Sequence, residues 1–210
     1  MSLQLADGKE GDHFMFNRIV GCLIVYVVLV TNAFAGATDE VKKVVDDVVC
    51  IVTNKDMKKN DSLRRQMLKK TIGVIFDYSE MAKRSLGKNW NQRSTAERKQ
   101  FTDLFATLLE NSYAGMIESY NNEKIVYIKE NIDGEHAEVK SKVVTAKRDE
   151  FSLDYRLLYK NGKWMAYDVV IEGVSLVSNY RTQFNKIIGA DGFPALVNKL
   201  QIKSDEVKAL

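Results

Sequence analysis

The chain has 210 residues, with 31 basic and 28 acidic side chains and a mean hydropathy of -0.25. A net charge of +3, scattered along the chain, is too small to argue for nucleic acid. A single proline, Pro194, and the lack of low-complexity stretches or internal repeats point to one compact unit without a linker.

The first 35 residues read as a leader. Asn17-Arg18 is weakly basic, Ile19 to Val30 is an almost unbroken apolar run, and Ala33-Phe34-Ala35 has the small-x-small pattern of a cleavage site. This is the order of a secretory signal peptide, with the cut expected after Ala35. The apolar run is shorter than the roughly 20 residues that a spanning helix needs, which leaves an uncleaved anchor as the alternative. Asp7, Glu10 and Asp12 are foreign to such a leader, so translation is expected to begin at Met15, with 1–14 an upstream artefact. Ile19-Val20-Gly21-Cys22 has the look of a lipoprotein box but precedes the apolar run, so no lipid is expected on Cys22. Cys50 is then the single mature cysteine, which forbids an intramolecular disulfide and leaves a small apolar filler as the expectation, with pairing between chains as the alternative. Residues 36–210, with 29 basic and 25 acidic side chains, suit one domain with a sizeable core.

The first half of that domain has helical periodicity. Thr38-Asp39-Glu40 caps a helix with Val41, Val44, Val45, Val48, Val49 and Val52 on its apolar side. Asp61 or Ser62 opens a second, carrying Leu63, Met67, Leu68 and Ile72. A third covers about Tyr78 to Leu86, with Gly87 as its C-cap. Ser94-Thr95-Ala96-Glu97 is a capping box. Behind it Phe101, Leu104, Phe105, Leu108, Leu109, Tyr113, Met116, Ile117 and Tyr120 form an apolar stripe broader than a coiled-coil seam.

From Lys124 the period changes to alternation. Strands are expected at Ile125–Ile132, Ala137–Ala146, Phe151–Tyr159 and Lys163–Glu172, with turns at Asp133-Gly134 and Asn161-Gly162. The third strand puts Phe151, Leu153, Tyr155, Leu157 and Tyr159 on one face, which needs covering by helices. An elbow at Glu172-Gly173 leads into two C-terminal helices, about 175–188 and 191–202. The expected fold class is α+β, a curved four-stranded antiparallel sheet packed with several helices.

Little in the chain suits a reaction centre. There is no H-E-x-x-H, C-x-x-C, phosphate-cradling loop or dinucleotide fingerprint, no dense acidic cluster for calcium, and no cofactor is expected. The one mature histidine, His136, reads as a solvent-facing strand residue. One enzymatic alternative survives, because small cone-shaped isomerases and dehydratases are built from a helix-backed curved sheet. There Asp168 would be the base, with Tyr155 or Tyr113 as hydroxyl donor. The competing reading has Asp168 pairing with a Lys or Arg at a strand end.

Two stretches carry a resemblance. "FDYSEMAKRSLGKNW", 76–90, resembles the "FD-aromatic-x-x-MA-x-x-x-LG-x-x-W" signature of the MlaC family, also called the toluene-tolerance auxiliary family, with Ser85 replacing the usual alanine. "DVVIEGVSLVSNYRTQF", 168–184, resembles that family's second hallmark, and the helix from Ser94 to Tyr120 resembles the segment between them. The resemblance implies a curved sheet related to the nuclear-transport-factor (NTF2-like) cone with a helical subdomain. It also implies a non-enzymatic periplasmic protein that binds phospholipid. Its partners would be an outer-membrane lipoprotein complex and an inner-membrane ABC transporter complex, between which it would ferry lipids to maintain outer-membrane asymmetry. A hopanoid-carrying branch is the alternative cargo.

Given such a cargo, Phe105, Leu109, Tyr113, Met116, Tyr155, Leu157, Tyr167, Val169, Val174 and Tyr180 are the expected lipid contacts. Val169, Ile171, Val174 and Val177 would make the elbow a pocket wall. Lys83, Arg84 and Arg181 are the head-group candidates, since an arginine grips two phosphate oxygens at once. Phe76 and Trp90 are assigned to packing of helix against sheet.

Overall fold

The computed structural model describes residues 36–208; the leader expectation for 1–35 and the start at Met15 lie outside the described residues. Helix α1 (Ala37–Thr53) begins slightly before the expected cap. The Glu130 carboxylate from the sheet accepts from Ala37 N at 3.0 Å and from Thr38 Oγ1 at 2.7 Å. An acidic group there satisfies helix N–H groups that have no intrahelical partner. Helices α2 (Asp61–Ile72) and α3 (Tyr78–Leu86) follow, capped by Asn60 and Asp77. The predicted capping box opens α4 (Thr95–Glu118), with Glu97 N donating to Ser94 Oγ at 3.2 Å and Ser94 N to Glu97 Oε2 at 2.8 Å.

Strands β1 (Lys124–Asp133), β2 (His136–Val144), β3 (Glu150–Lys160) and β4 (Lys163–Ile171) form the expected antiparallel meander. Asn161-Gly162, both at positive φ, makes the predicted tight turn. The expectation of four strands is corrected to five: β5 (Val174–Ser175) folds back onto Val170 and Ile171. Two residues are too few to show an alternating period. Bulges between Tyr127 and Lys129 on β1, and at Tyr167 on β4 opposite Arg156 and Leu157, bend the sheet.

Helix α5 (Leu176–Lys208) is broken at Gly192, whose φ of 82° and ψ of 169° are not helical. The break and the Pro194 that follows it correspond to the expected division into two helices, with the second part running further than 202.

Two cores hold the domain together. Helices α3, α4 and α5 share one, in which Phe101 and Phe105 stack on each other and Phe184 meets both edge-on. The other packs Ala37, Val41 and Val44 of α1 onto Val139, Leu157, Trp164 and Ala166 of the sheet. The "FD" of the first motif ties the two together. Phe76 bridges in parallel to Ala166 on the edge of β4, where β5 does not reach, through bonds from Ala166 N to Ile75 O and from Asp77 N to Ala166 O. Asp77 then caps α3 by accepting from Glu80 N at 2.9 Å and pairs with Lys160 Nζ of β3 at 2.7 Å. Ser85, in the usual alanine's place, is fully buried and donates to the Ala82 carbonyl, so its hydroxyl costs little.

Candidate functional site

Between α1, α2, the C-terminal half of α4 and the concave side of the sheet lies a cavity of about 850 Å³. That is near the top of the roughly 300–1,000 Å³ range of small-molecule sites. Helix α1 contributes Val41, Val44, Val45, Val48, Val49 and Val52, and the sheet adds Ile125, Val143, Phe151, Leu153, Tyr155, Val169 and Ile171. Helix α4 contributes Leu109, Tyr113, Ala114, Met116 and Ile117, and Tyr120 follows just past its C-cap. Burial favours the neutral form of three phenols on the wall, Tyr78, Tyr113 and Tyr155. Burial, and then the Glu110 carboxylate that Tyr78 donates to, push the Tyr78 phenol well above its ordinary range. Burial likewise raises Tyr155 and Tyr113. Most of the lining therefore offers broad apolar contact. Charge gathers where α2 faces α4: Lys69 pairs with Glu110 at 2.9 Å and Arg65 with Glu118 at 3.1 Å, and all four residues line the cavity.

A model of the MlaC protein family matches residues 42–202. The chain belongs to the MlaC family. It is 23% identical over 150 residues to the intermembrane phospholipid transport system binding protein MlaC of Haemophilus influenzae, covering 69% of this chain and 70% of that one. To the toluene tolerance protein ttg2D of Pseudomonas putida it is 25% identical over 137 residues, 64% of either chain. Among solved structures, the phospholipid-binding protein from Ralstonia solanacearum, in complex with a phospholipid, superposes with a TM-score of 0.75 at 27% identity. That likeness covers 83% of this chain and 99% of the other.

Within this MlaC-family domain, five of the ten expected contacts line the cavity: Leu109, Tyr113, Met116, Tyr155 and Val169. The other five do not. Phe105 is fully buried in the helical core with Tyr180 against it, and Leu157 is sealed under α1. Tyr167 lies under the Arg84 guanidinium, 3.9 Å from its ring centre, and Val174 is 56% exposed on the short edge strand β5. Ile171 of the elbow reaches the cavity, whereas Val177 is core. Phe76, assigned to packing, also lines the wall, while Trp90 packs beside the helical core under Arg98.

The three head-group candidates sit outside the cavity lining. Lys83 and Arg84 pair with Glu80, and Arg181 donates to the Arg84 carbonyl at 2.6 Å. Asp168 also lies outside that lining: the strand's alternation sends Val169 and Ile171 inward and Asp168 to the other face. There it accepts from Val177 N, Ser175 Oγ and Arg156 Nη1, the strand-end pairing weighed against a catalytic base. His136 is exposed as expected, but Cys50 is not a filler, since it lies on the solvent side of α1.

Sequence reasoning missed the valine row of α1 and the basic side chains of α2. The valines were visible as an amphipathic stripe, but a stripe has the same period whether it faces a core or a cavity. Arg65 and Lys69 carried no local signal, because their carboxylate partners lie on α4, far along the chain.

Proposed function

We propose that this chain is a periplasmic phospholipid-binding protein of lipid transport. It would shuttle lipids between an outer-membrane lipoprotein complex and an inner-membrane ABC transporter complex, maintaining outer-membrane lipid asymmetry. The carrying observation is the 850 Å³ cavity with valine, leucine, isoleucine and aromatic walls. Support comes from the phospholipid held by the Ralstonia solanacearum neighbour and from the transport-system name of the Haemophilus influenzae relative.

The energetics suit a carrier. Two acyl tails of about 30 methylenes leave water with a gross gain near 24 kcal/mol, at ~0.8 kcal/mol each. A bilayer offers nearly the same, so a shuttle must roughly match the membrane without exceeding it. Apolar walls with neutral phenols do this for the tails.

The test is to express the full chain, fractionate the envelope, and take a native mass spectrum of the periplasmic protein followed by lipid extraction. Phospholipid at near one molecule per chain is the expected result, and extraction also separates phospholipid from hopanoid. A bare protein mass, with no uptake from labelled vesicles, would overturn the reading.

A further inference from the structure

Where α2 faces α4 along the cavity, side chains of opposite charge bridge the two helices. Lys69 Nζ lies 2.9 Å from Glu110 Oε2, Arg65 Nε 3.1 Å from Glu118 Oε1, and Arg64 Nη2 3.7 Å from Glu118 Oε2. Both carboxylates are largely covered, each side chain 14% exposed, while the Lys69 and Arg65 side chains are 63% and 59% exposed. Arg64 adds a buried Nε with no hydrogen-bond partner among the described residues, so the α2 side of the seam has donors to spare.

Helix α2 itself is lightly held. Its one buried residue is Leu68, packed with Ile51 and Val52 of α1 and flanked by Ile117 of α4 and by Tyr120 just past that helix. An element with so little buried apolar surface belongs to the low-stability end of a domain. Ion pairs with one exposed partner contribute little and exchange readily.

Resting on the carrier reading, we propose that Glu110 and Glu118 are internal stand-ins for the cargo's phosphate. In this structure they hold Lys69 and Arg65 across the seam. On loading, the phosphodiester of the lipid takes those cations while its tails fill the apolar interior. The guanidinium of Arg65 offers paired N–H donors to a phosphate, and Lys69 a point charge beside it. One phosphodiester charge then stands where two carboxylate charges stood, so Lys69 and Arg65 share it, while Glu118 keeps Arg64 and Glu110 keeps the Tyr78 hydroxyl. Arginine and lysine on the cavity wall, away from Lys83, Arg84 and Arg181, are thereby assigned the head group.

The assignment makes predictions of opposite sign. The double variant Glu110→Gln with Glu118→Gln removes the competitors and should raise retention of phospholipid about fivefold, the equivalent of one such ion pair. Arg65→Gln with Lys69→Gln should lower it by a similar factor. Diacylglycerol with the same tails but no phosphate should load equally into all three proteins. Uptake from labelled vesicles, quantified per folded chain with circular dichroism melts as the folding control, reads each outcome. Glycerophosphocholine, which has the phosphodiester and no tails, should leave phospholipid uptake unchanged; displacement by it would overturn the assignment to lipid. Variants that shift together, or that alter diacylglycerol and phospholipid alike while wild type loads, would overturn this inference alone. A wild type that loads neither lipid would bring down the carrier reading beneath it.

Discussion

Ser175 Oγ donates to Asp168 Oδ2 at 2.6 Å, so a carboxylate on β4 holds the residue that caps α5. The other carboxylate oxygen accepts from Val177 N at 3.0 Å, and Ser175 Oγ in turn accepts from Ser178 N at 3.0 Å. One buried side chain thus joins the sheet, the tight turn and the first turn of the helix. That explains why the elbow reads as a motif: it is a joint, with Val169 and Ile171 facing the cavity on one side and the cap on the other.

Asp168→Asn keeps the shape and removes the charge. Since Arg156 remains partly exposed, the loss should be about 2 kcal/mol, below that of a fully buried broken pair. Asp168→Ala should cost more, because the Val177 N–H would be left buried and unpaired. Urea melts measure both, and lipid uptake by the folded protein should persist. Lost uptake at unchanged stability would restore Asp168 to a direct role at the site.

Core and cavity positions should separate cleanly. Leu153→Trp projects into open volume, so stability should stay within about 1 kcal/mol of wild type while phospholipid uptake falls. Phe105→Ala should cost about 3–5 kcal/mol and leave uptake per folded chain intact, since Phe105 packs against Phe101, Tyr180 and Phe184. Equal loss of uptake in both variants would erase the distinction.

Alkaline pH should weaken the fold. The Tyr127 hydroxyl is buried without a hydrogen-bond partner among the described residues, and burial, then the Asp46 charge, pushes its pKa up to about 12. An unfolded tyrosine titrates near 10. Between those values the unfolded chain has released a proton that the folded chain keeps, so stability falls as pH rises through the window and is fully present below it. Tyr155, shifted in the same direction, adds to the fall. Tyr127→Phe should make that fall shallower and, at neutral pH, raise stability by up to about 1 kcal/mol. Urea midpoints at neutral pH and at about pH 11 decide it; a less stable Phe variant at neutral pH would mean the hydroxyl has a partner.

Two glycines should respond with opposite sign. A Cβ at Gly173 meets nothing within 4 Å, yet its φ of 77° strains any L side chain, so Gly173→Ala should cost about 1–2 kcal/mol. A Cβ at Gly115, inside α4, also meets nothing within 4 Å, and Gly115→Ala should gain about 0.5–1 kcal/mol. In a domain this size each kcal/mol moves Tm by about 2–4 °C.

Much of this architecture was legible where a local rule decides. The Ser94/Glu97 box, the Asn161-Gly162 turn and the face of Phe151, Leu153 and Tyr155 all follow from short-range chemistry. What was not legible depends on which neighbour covers a face. The stripe of α4 looks uniform from Phe101 to Tyr120, but Phe101, Leu104 and Phe105 are core, whereas Tyr113, Met116, Ile117 and Tyr120 face the cavity. Leu109 marks the change, being both core and wall. The basic residues misled for a similar reason, since Lys83 and Arg84 find a carboxylate one turn away in Glu80, while the cations at the cavity find theirs on another helix.

That division of α4 makes the helix a cantilever. Its root, around Phe101 and Phe105, is clamped among the rings of Phe184, Phe193 and Tyr180. Its tip is tethered by ion pairs and the small cluster around Leu68. A beam so mounted yields at the tip and stays still at the root. The helix thus carries two kinds of attachment along one rod, an aromatic anchorage at its root and charged tethers at its tip.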